Sequence, residues 1–230
     1  MVVAFGQIIP QALLDIPKYG CVNVHGSLLP KYRGAAPIQW AVIDGEKESG
    51  VTTMRMDAGL DTGDMILKKV VPLEEKETAG SLFEKLSEAG AGLLIETLDR
   101  LEDGSAVFEK QGDSPTAYAA MLKKEQGLID FGRDAAAIER QIRGFNPWPS
   151  AYTHLDGKTL KIWEADVQEQ PEGENTLPAG TVTEVTKKEF KVQTGRGLLV
   201  IRELQPEGKK RMSTDAFLRG YKIEPGTRLE

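Results

Sequence analysis

Apolar positions along the chain follow two rhythms. In the first half, short apolar runs alternate with stretches of helical period; in the last third, short segments rich in Val, Ile and Thr succeed one another. Val2 to Phe5 reads as a buried strand that opens at Gly6 and Gln7 into a loop, and Cys21 to His25 as a second strand. After the punctuation of Gly34 to Pro37, the segment Ile38 to Ile43 has a helical pattern. Val51 to Met56 and Met65 to Val71 then flank a glycine-rich turn as two strands. Leu82, Leu86, Leu93, Leu94, Leu98 and Leu101 keep helical spacing, with Ser81 and Glu84 as a capping box at the start and Asp103-Gly104 as the stop.

Residues 105 to 126 are irregular and polar, as expected of a linker. Asp134 can cap a short helix running to Arg143, with Ile138 and Ile142 on one face. Thr159 to Val167, Gly180 to Val185, Glu189 to Thr194 and Gly197 to Leu204 then read as short strands separated by turn residues, the signature of a small antiparallel barrel. The expectation is an α/β chain: an incomplete doubly wound sheet domain over residues 1–116, its linker starting near 105, followed by an OB-like β-barrel domain over 117–230.

Composition narrows the function classes. At 230 residues the chain can bury two cores. No run approaches the roughly 18 apolar residues of a membrane-spanning helix, and the N-terminus lacks the basic region of a signal peptide, so the expected setting is the cytoplasm with no membrane partner. One cysteine and two histidines cannot furnish a four-ligand zinc site, so no metal is expected. The net charge of −6 hides an asymmetry. Residues 1–116 carry 11 basic against 18 acidic side chains, whereas 117–230 carry 18 against 17, with bases clustered at Lys123-Lys124, Lys187-Lys188 and Lys209-Lys210-Arg211.

Candidate chemistry sits in two places. In Asn23-Val24-His25 the two polar residues are two apart on a strand and share a face, so an amide donor and an imidazole stand side by side. A lone histidine on an apolar strand is commonly structural, and His154, the other one, lies in a hairpin-like segment suited to the surface. The second place is Asp57-Ala58-Gly59-Leu60-Asp61-Thr62-Gly63-Asp64, where glycines allow close backbone approach and one carboxylate could orient and charge His25. Its spacing does not match a calcium loop. Gly6 to Pro10 is a plausible ligand loop at the carboxyl end of a strand, but no dinucleotide or P-loop fingerprint is present. Cys21 reads as a small core residue.

Taken together, Val22 to Pro30 (VNVHGSLLP), Arg33 to Gln39 (RGAAPIQ) and Gly59 to Met65 (GLDTGDM) resemble the folate-dependent formyltransferase family. Leu128-Ile129-Asp130, Phe145 to Pro149 and Gly208 to Met212 extend the likeness to the whole chain. The resemblance implies transfer of a formyl group from 10-formyltetrahydrofolate to the α-amino group of methionine esterified to initiator tRNA, with a monomeric enzyme as the expected form. It places the family's catalytic Asn, His and Asp on Asn23, His25 and Asp61: a donor to the formyl oxygen, an oxyanion stabiliser in imidazolium form, and a group that holds the histidine and helps take a proton from the amine. The folate's pterin would lie against Gln7, Ile8 and Ile9 on one side and Ala58, Gly59, Leu60 and Asp61 on the other. Ser27, Leu28, Leu29, Pro30 and Arg33, with Lys123, Lys124, Lys209, Lys210 and Arg211, become the candidate substrate and tRNA contacts.

The family carries a further stretch ahead of the segment that begins here, so the chain is expected to be either a fragment or a shortened gene product, with an apolar sheet edge at its first strand. Two other readings compete: a sugar-amine formyltransferase, and a catalytically dead remnant that binds RNA or folate.

Overall fold

The structure, a computed structural model, describes residues 1–3, 9–171 and 177–230. They form two compact units, Met1–Met121 and Leu122–Glu230.

The first unit is built on a mixed sheet of β1 (Val2–Val3), β2 (Val22–His25), β3 (Glu48–Arg55) and β4 (Met65–Pro72), in that spatial order. Only β1 and β2 run parallel; β2 with β3 and β3 with β4 are antiparallel. The sheet is therefore less parallel than a doubly wound fold predicts, because a glycine-rich turn joins β3 directly to β4 without a crossover helix. Of the first strand expected from Val2 to Phe5, β1 covers two residues, and Ala4 to Ile8 lie outside the described residues.

The helices of this unit are α1 (Gln11–Leu14), α2 (Pro37–Asp44) and α3 (Ala79–Asp103). Helix α3 covers one face of the sheet: Leu82, Leu86, Ala89 and Leu93 pack with Val42 and Val51, and Val24 joins them. The approach is close, since a Cβ added at Gly90 would meet Val24 Cγ1 at 3.1 Å. Alternation along β2 then turns Asn23 and His25 to the opposite face.

The start of α3 differs from the expected Ser81/Glu84 box. Thr78 is the N-cap, accepting from the Ser81 N–H at 3.1 Å, while Ser81 Oγ accepts the Thr78 N–H at 3.0 Å. A serine at the third helical position performs the task usually given to Glu or Gln. The irregular segment from 105 to 121 belongs to this unit: Met65 and Glu109 exchange main-chain bonds, and Ala119 pairs with the Arg33–Ala36 stretch.

The second unit opens with a turn of 3₁₀-helix (Lys124–Gly127) and α4 (Ala135–Gly144). Asp134 occupies the N-cap position of α4 without a side-chain capping bond. An antiparallel sheet follows: β5 (Ala151–Leu155), β6 (Lys158–Gln168), β7 (Val182–Val185), β8 (Phe190–Gln193), β9 (Leu198–Pro206) and β10 (Met212–Ser213), before α5 (Thr214–Gly220). The order is β5-β6-β9-β8-β7, with β10 on β9. Strand β5 was expected only as a hairpin-like segment, because its Thr, His and turn residues break the apolar alternation. Ile138 and Ile142 of α4 and Phe217 of α5 fill the core over Ile162, Phe190, Leu199 and Ile201.

The last residues lie along two strands at once. His154 of β5 and Glu230 exchange both main-chain bonds, while Leu229 N–H donates to Gly180 and Val182 N–H donates to Thr227, each at 2.8 Å.

Candidate active site

Asn23 and His25 project from β2 beside the turn that joins β3 to β4. Across the ladder Asn23 faces Met54 and His25 faces Thr52. Thr52 is itself a tether: Oγ1 donates to the Ser27 carbonyl at 2.7 Å and accepts the Leu29 N–H at 3.1 Å, which pulls the loop after β2 back over the sheet. That loop contains a cis Leu29-Pro30 bond and ends at Tyr32, whose φ of 54° lies in the left-handed region.

Such a conformation is costly for a bulky residue, and Tyr32 is held there from three sides. Its N–H donates to Thr116 Oγ1 at 2.8 Å, its buried ring packs with Ala41 and Ala119, and its hydroxyl lies 3.0 Å from both Asp44 Oδ2 and Glu46 Oε1. Burial, and after it the two carboxylates, pushes the Tyr32 hydroxyl far above its ordinary value, so it remains a donor.

The Tyr32 carbonyl is thereby aimed at His25 Nε2, 3.0 Å away. A carbonyl only accepts, so Nε2 carries a proton and Nδ1 is the nitrogen turned to Asp61 Oδ1, at 3.7 Å. His25 is 6% exposed and the Asp61 side chain 20%, so the pair is reached from the aspartate's side.

Asp61 is the point of convergence. The Asn23 amide lies 3.5 Å from Oδ1, and the Gly34 N–H donates to Oδ2 at 3.0 Å. Gly34 has a φ of +125°, and a Cβ there would sit 2.6 Å from the Ala119 carbonyl, so no other residue gives this approach. Asp61 also has a left-handed φ, 54°. The Asp57 carboxylate closes the turn from within by accepting from the Gly59 N–H and Thr62 Oγ1. At Gly63 a Cβ would lie 1.8 Å from the Arg55 carbonyl. An amide, an imidazole and a carboxylate thus meet at one spot, a donor beside an acid–base pair. Among the described residues no cluster of three or more His, Cys, Asp or Glu side chains is arranged to hold a metal ion.

Comparison with known proteins identifies the family. Residues 1–98 match the family model described as formyl transferase and residues 121–222 the one described as formyl transferase, C-terminal domain. The chain is 55% identical to the methionyl-tRNA formyltransferase of Lachnospira eligens, over 100% of this chain and 73% of that protein. It is also 55% identical to the one from Geobacter sulfurreducens, over 100% and 71%. The chain belongs to the methionyl-tRNA formyltransferase family.

Among solved structures, a variant of HypX from Aquifex aeolicus superposes with a TM-score of 0.66 at 20% identity, over 95% of this chain and 40% of that one. The N-formyltransferase of Helicobacter canadensis, solved with folinic acid and dTDP-3-aminofucose, gives 0.63 at 23%, over 83% and 66%. At these identities the likeness is one of fold.

The remaining residues expected at the site divide by exposure. Ser27 and Leu29 face inward: Ser27 Oγ donates to the Lys31 carbonyl at 2.6 Å and Leu29 packs with Met54 and Met65, so both shape the loop. Leu28 and Pro30 are half-buried. Arg33 is occupied within the chain, Nε donating to Gln111 Oε1 and Nη2 to the Gly112 carbonyl, each at 2.8 Å. Lys123, Lys124, Lys209, Lys210 and Arg211 are exposed, and the Arg211 guanidinium lies 5.1 Å from the Trp163 ring centre while bonding Glu203. Cys21 is buried, as expected of a core residue.

Of the folate-contacting residues expected, Gln7 and Ile8 lie outside the described residues, and Ile9 is half-buried. Ala58, Gly59 and Leu60 are exposed at the tip of the aspartate turn, Leu60 by 53%. Beside this turn, a cavity of about 520 Å³ is walled by Leu14, Tyr19, Met56, Asp57, Leu101 and Phe108. Gln11, Asp15, Lys18 and Arg55 also line it, so its wall mixes apolar and polar groups in nearly equal measure. It meets the turn at Asp57, and none of Asn23, His25 and Asp61 lines it.

Two residues that contact the site, Tyr32 and Gln111, carry no signal in the sequence. Tyr32 meets His25 through a main-chain carbonyl, which no side-chain pattern reports. Gln111 reaches the turn from a segment that carries no motif.

Proposed function

We propose that this chain transfers a formyl group to the amino group of methionyl initiator tRNA, with 10-formyltetrahydrofolate as donor. The observation that carries this reading is the convergence of Asn23, His25 and the Gly34 N–H on one Asp61 carboxylate, in a chain 55% identical to named methionyl-tRNA formyltransferases.

The folate donor supplies an activated formyl carbon. Ala58, Gly59, Leu60 and Ile9, with Gln7 and Ile8, are the residues proposed to hold it. The Asn23 amide donates to the formyl oxygen as negative charge develops there, an interaction worth about 3 to 4 kcal/mol in a single-donor deletion. His25, its ring direction fixed by the Tyr32 carbonyl at Nε2, turns Nδ1 toward Asp61 and stabilises the developing negative charge through the field of its ring beside Asn23. Asp61 anchors the imidazole and takes a proton from the incoming ammonium; the freed amine bonds the formyl carbon, and that carbon's bond to the folate nitrogen breaks as the folate nitrogen takes up a proton and leaves.

In the second unit, exposed Lys123, Lys124, Lys209, Lys210 and Arg211 are proposed to meet tRNA phosphates, which position an RNA without reading its sequence. An OB-like barrel is the proposed form of its sheet, supported by the terminal segment lying between β5 and β7. A monomer acting in the cytoplasm is the proposed state; no helix among the described residues is long and apolar enough to cross a membrane.

The test is formylation of methionyl initiator tRNA by the purified chain, with His25→Ala as control. Turnover that disappears in the control supports the proposal. A His25→Ala variant that formylates at the parent rate overturns the assigned chemistry.

A further inference from the structure

The left-handed turn at Asp61 is held from outside its own loop. Gln111 Nε2 donates to the Asp61 carbonyl at 2.9 Å and to the Gly63 carbonyl at 2.8 Å. Its Oε1 accepts from Arg33 Nε at 2.8 Å. These partners settle the orientation of the amide, since two carbonyls demand donors and a guanidinium demands an acceptor. Gln111 is half-buried with Met54 Sδ beside its nitrogen. The antiparallel bridge of Glu109 with Met65 brings it there: two residues beyond 109 lies opposite two residues before 65.

We infer that Gln111 is a positioning residue for the reaction, fixing the backbone of Asp61 so that its carboxylate meets His25 and Asn23, and tying that turn to the loop after β2 through Arg33. The inference rests on the proposed roles of His25 and Asp61. Three features carry it. The two carbonyls that Gln111 grips flank Thr62, so they set the direction in which the chain leaves Asp61. Asp61 occupies a backbone region that non-glycine residues hold only when the surroundings impose it. The other end of the amide reaches Arg33, next to Gly34, whose N–H is the one main-chain donor to the Asp61 carboxylate among the bonds described. One side chain therefore binds both loops that meet at the carboxylate.

The decisive variants are Gln111→Met, which keeps length and loses every polar contact, and Gln111→Glu, which keeps an acceptor for Arg33 and loses both donors. Asp61→Asn serves as the reference. The primary readout is the imidazole nitrogen spectrum of the full chain labelled at histidine. It contains only two rings, and a His154→Gln variant identifies His25.

Asp61→Asn is expected to move the His25 resonances, and both Gln111 variants to move them the same way by at least half as much, with His154 unchanged. In the formylation assay kcat is expected to fall about 10- to 100-fold, with KM for the tRNA within twofold, as for a small misplacement of a reacting group. Circular dichroism and melting temperature check the fold, and Gln111→Glu stands in should Gln111→Met not fold. His25 resonances that move in Asp61→Asn but stay in place in a folded Gln111 variant overturn the inference and leave the Asp61 reading intact. Resonances that stay in place in Asp61→Asn overturn the pairing on which both depend.

Discussion

The candidate site depends on groups that differ in how openly they announce themselves. Asn23 and His25 were legible because strand alternation turns residues two apart to one face, and Asp61 because a glycine-rich turn between strands presents carboxylates. The Tyr32 carbonyl was not legible, since its role comes from a strained φ that only the folded loop imposes. Gln111 lies 50 residues from Asp61 in sequence, and long-range hydrogen bonding leaves no local trace. At this scale Asn23→Ala is expected to lower kcat about 10²- to 10³-fold, the cost of one oxyanion donor, measured by single-turnover formylation. Tyr32→Phe leaves the Asp44 and Glu46 carboxylates without their shared hydroxyl donor. It should lower stability by about 1 to 3 kcal/mol in urea unfolding and slow formylation as well.

Among the elements, α3 has the best-defined beginning. Thr78 and Ser81 cap each other, and just ahead of them the buried Glu77 accepts from Ser81 Oγ, Lys85 Nζ and the Glu74 N–H. Thr78→Ala should cost about 1 kcal/mol, read from the urea midpoint. Burial alone would raise the Glu77 carboxyl, but its bonds to Lys85, Ser81 and the Glu74 N–H outweigh burial and hold it below its ordinary 4.5. A carboxyl lowered on folding contributes stability that is fully present above its unfolded value and is lost as pH falls through the folded one. Urea midpoints should therefore be level from pH 7 to about 5 and drop below about 4.5, and Glu77→Gln should flatten that acid limb. The leucine spacing disclosed the helix but not its cap, because a Thr/Ser box departs from the usual Ser/Thr with Glu. The strands β6 to β9 were legible from β-branched runs, whereas β5 was obscured by its polar outer residues.

The whole chain divides into two units, each with its own apolar core. Composition and the change of rhythm predict two domains with a boundary near residue 116. They did not disclose that residues 105 to 121 are stitched to the first unit, since this attachment runs through isolated bridges and side-chain bonds without periodicity. In the second unit the segment Thr227 to Glu230 bonds to strands at both ends of the sheet. Deleting these residues should lower the melting temperature of this unit by several degrees, about 4 to 8 °C for each kcal/mol lost, followed by circular dichroism. The same four residues also act as a shield against self-association. With them in place, the main-chain groups of β5 and β7 that they bond are unavailable to another copy of the chain; without them, both edges become templates for strand addition. A shortened chain should therefore scatter light more strongly as its concentration rises, at temperatures where the parent stays dispersed.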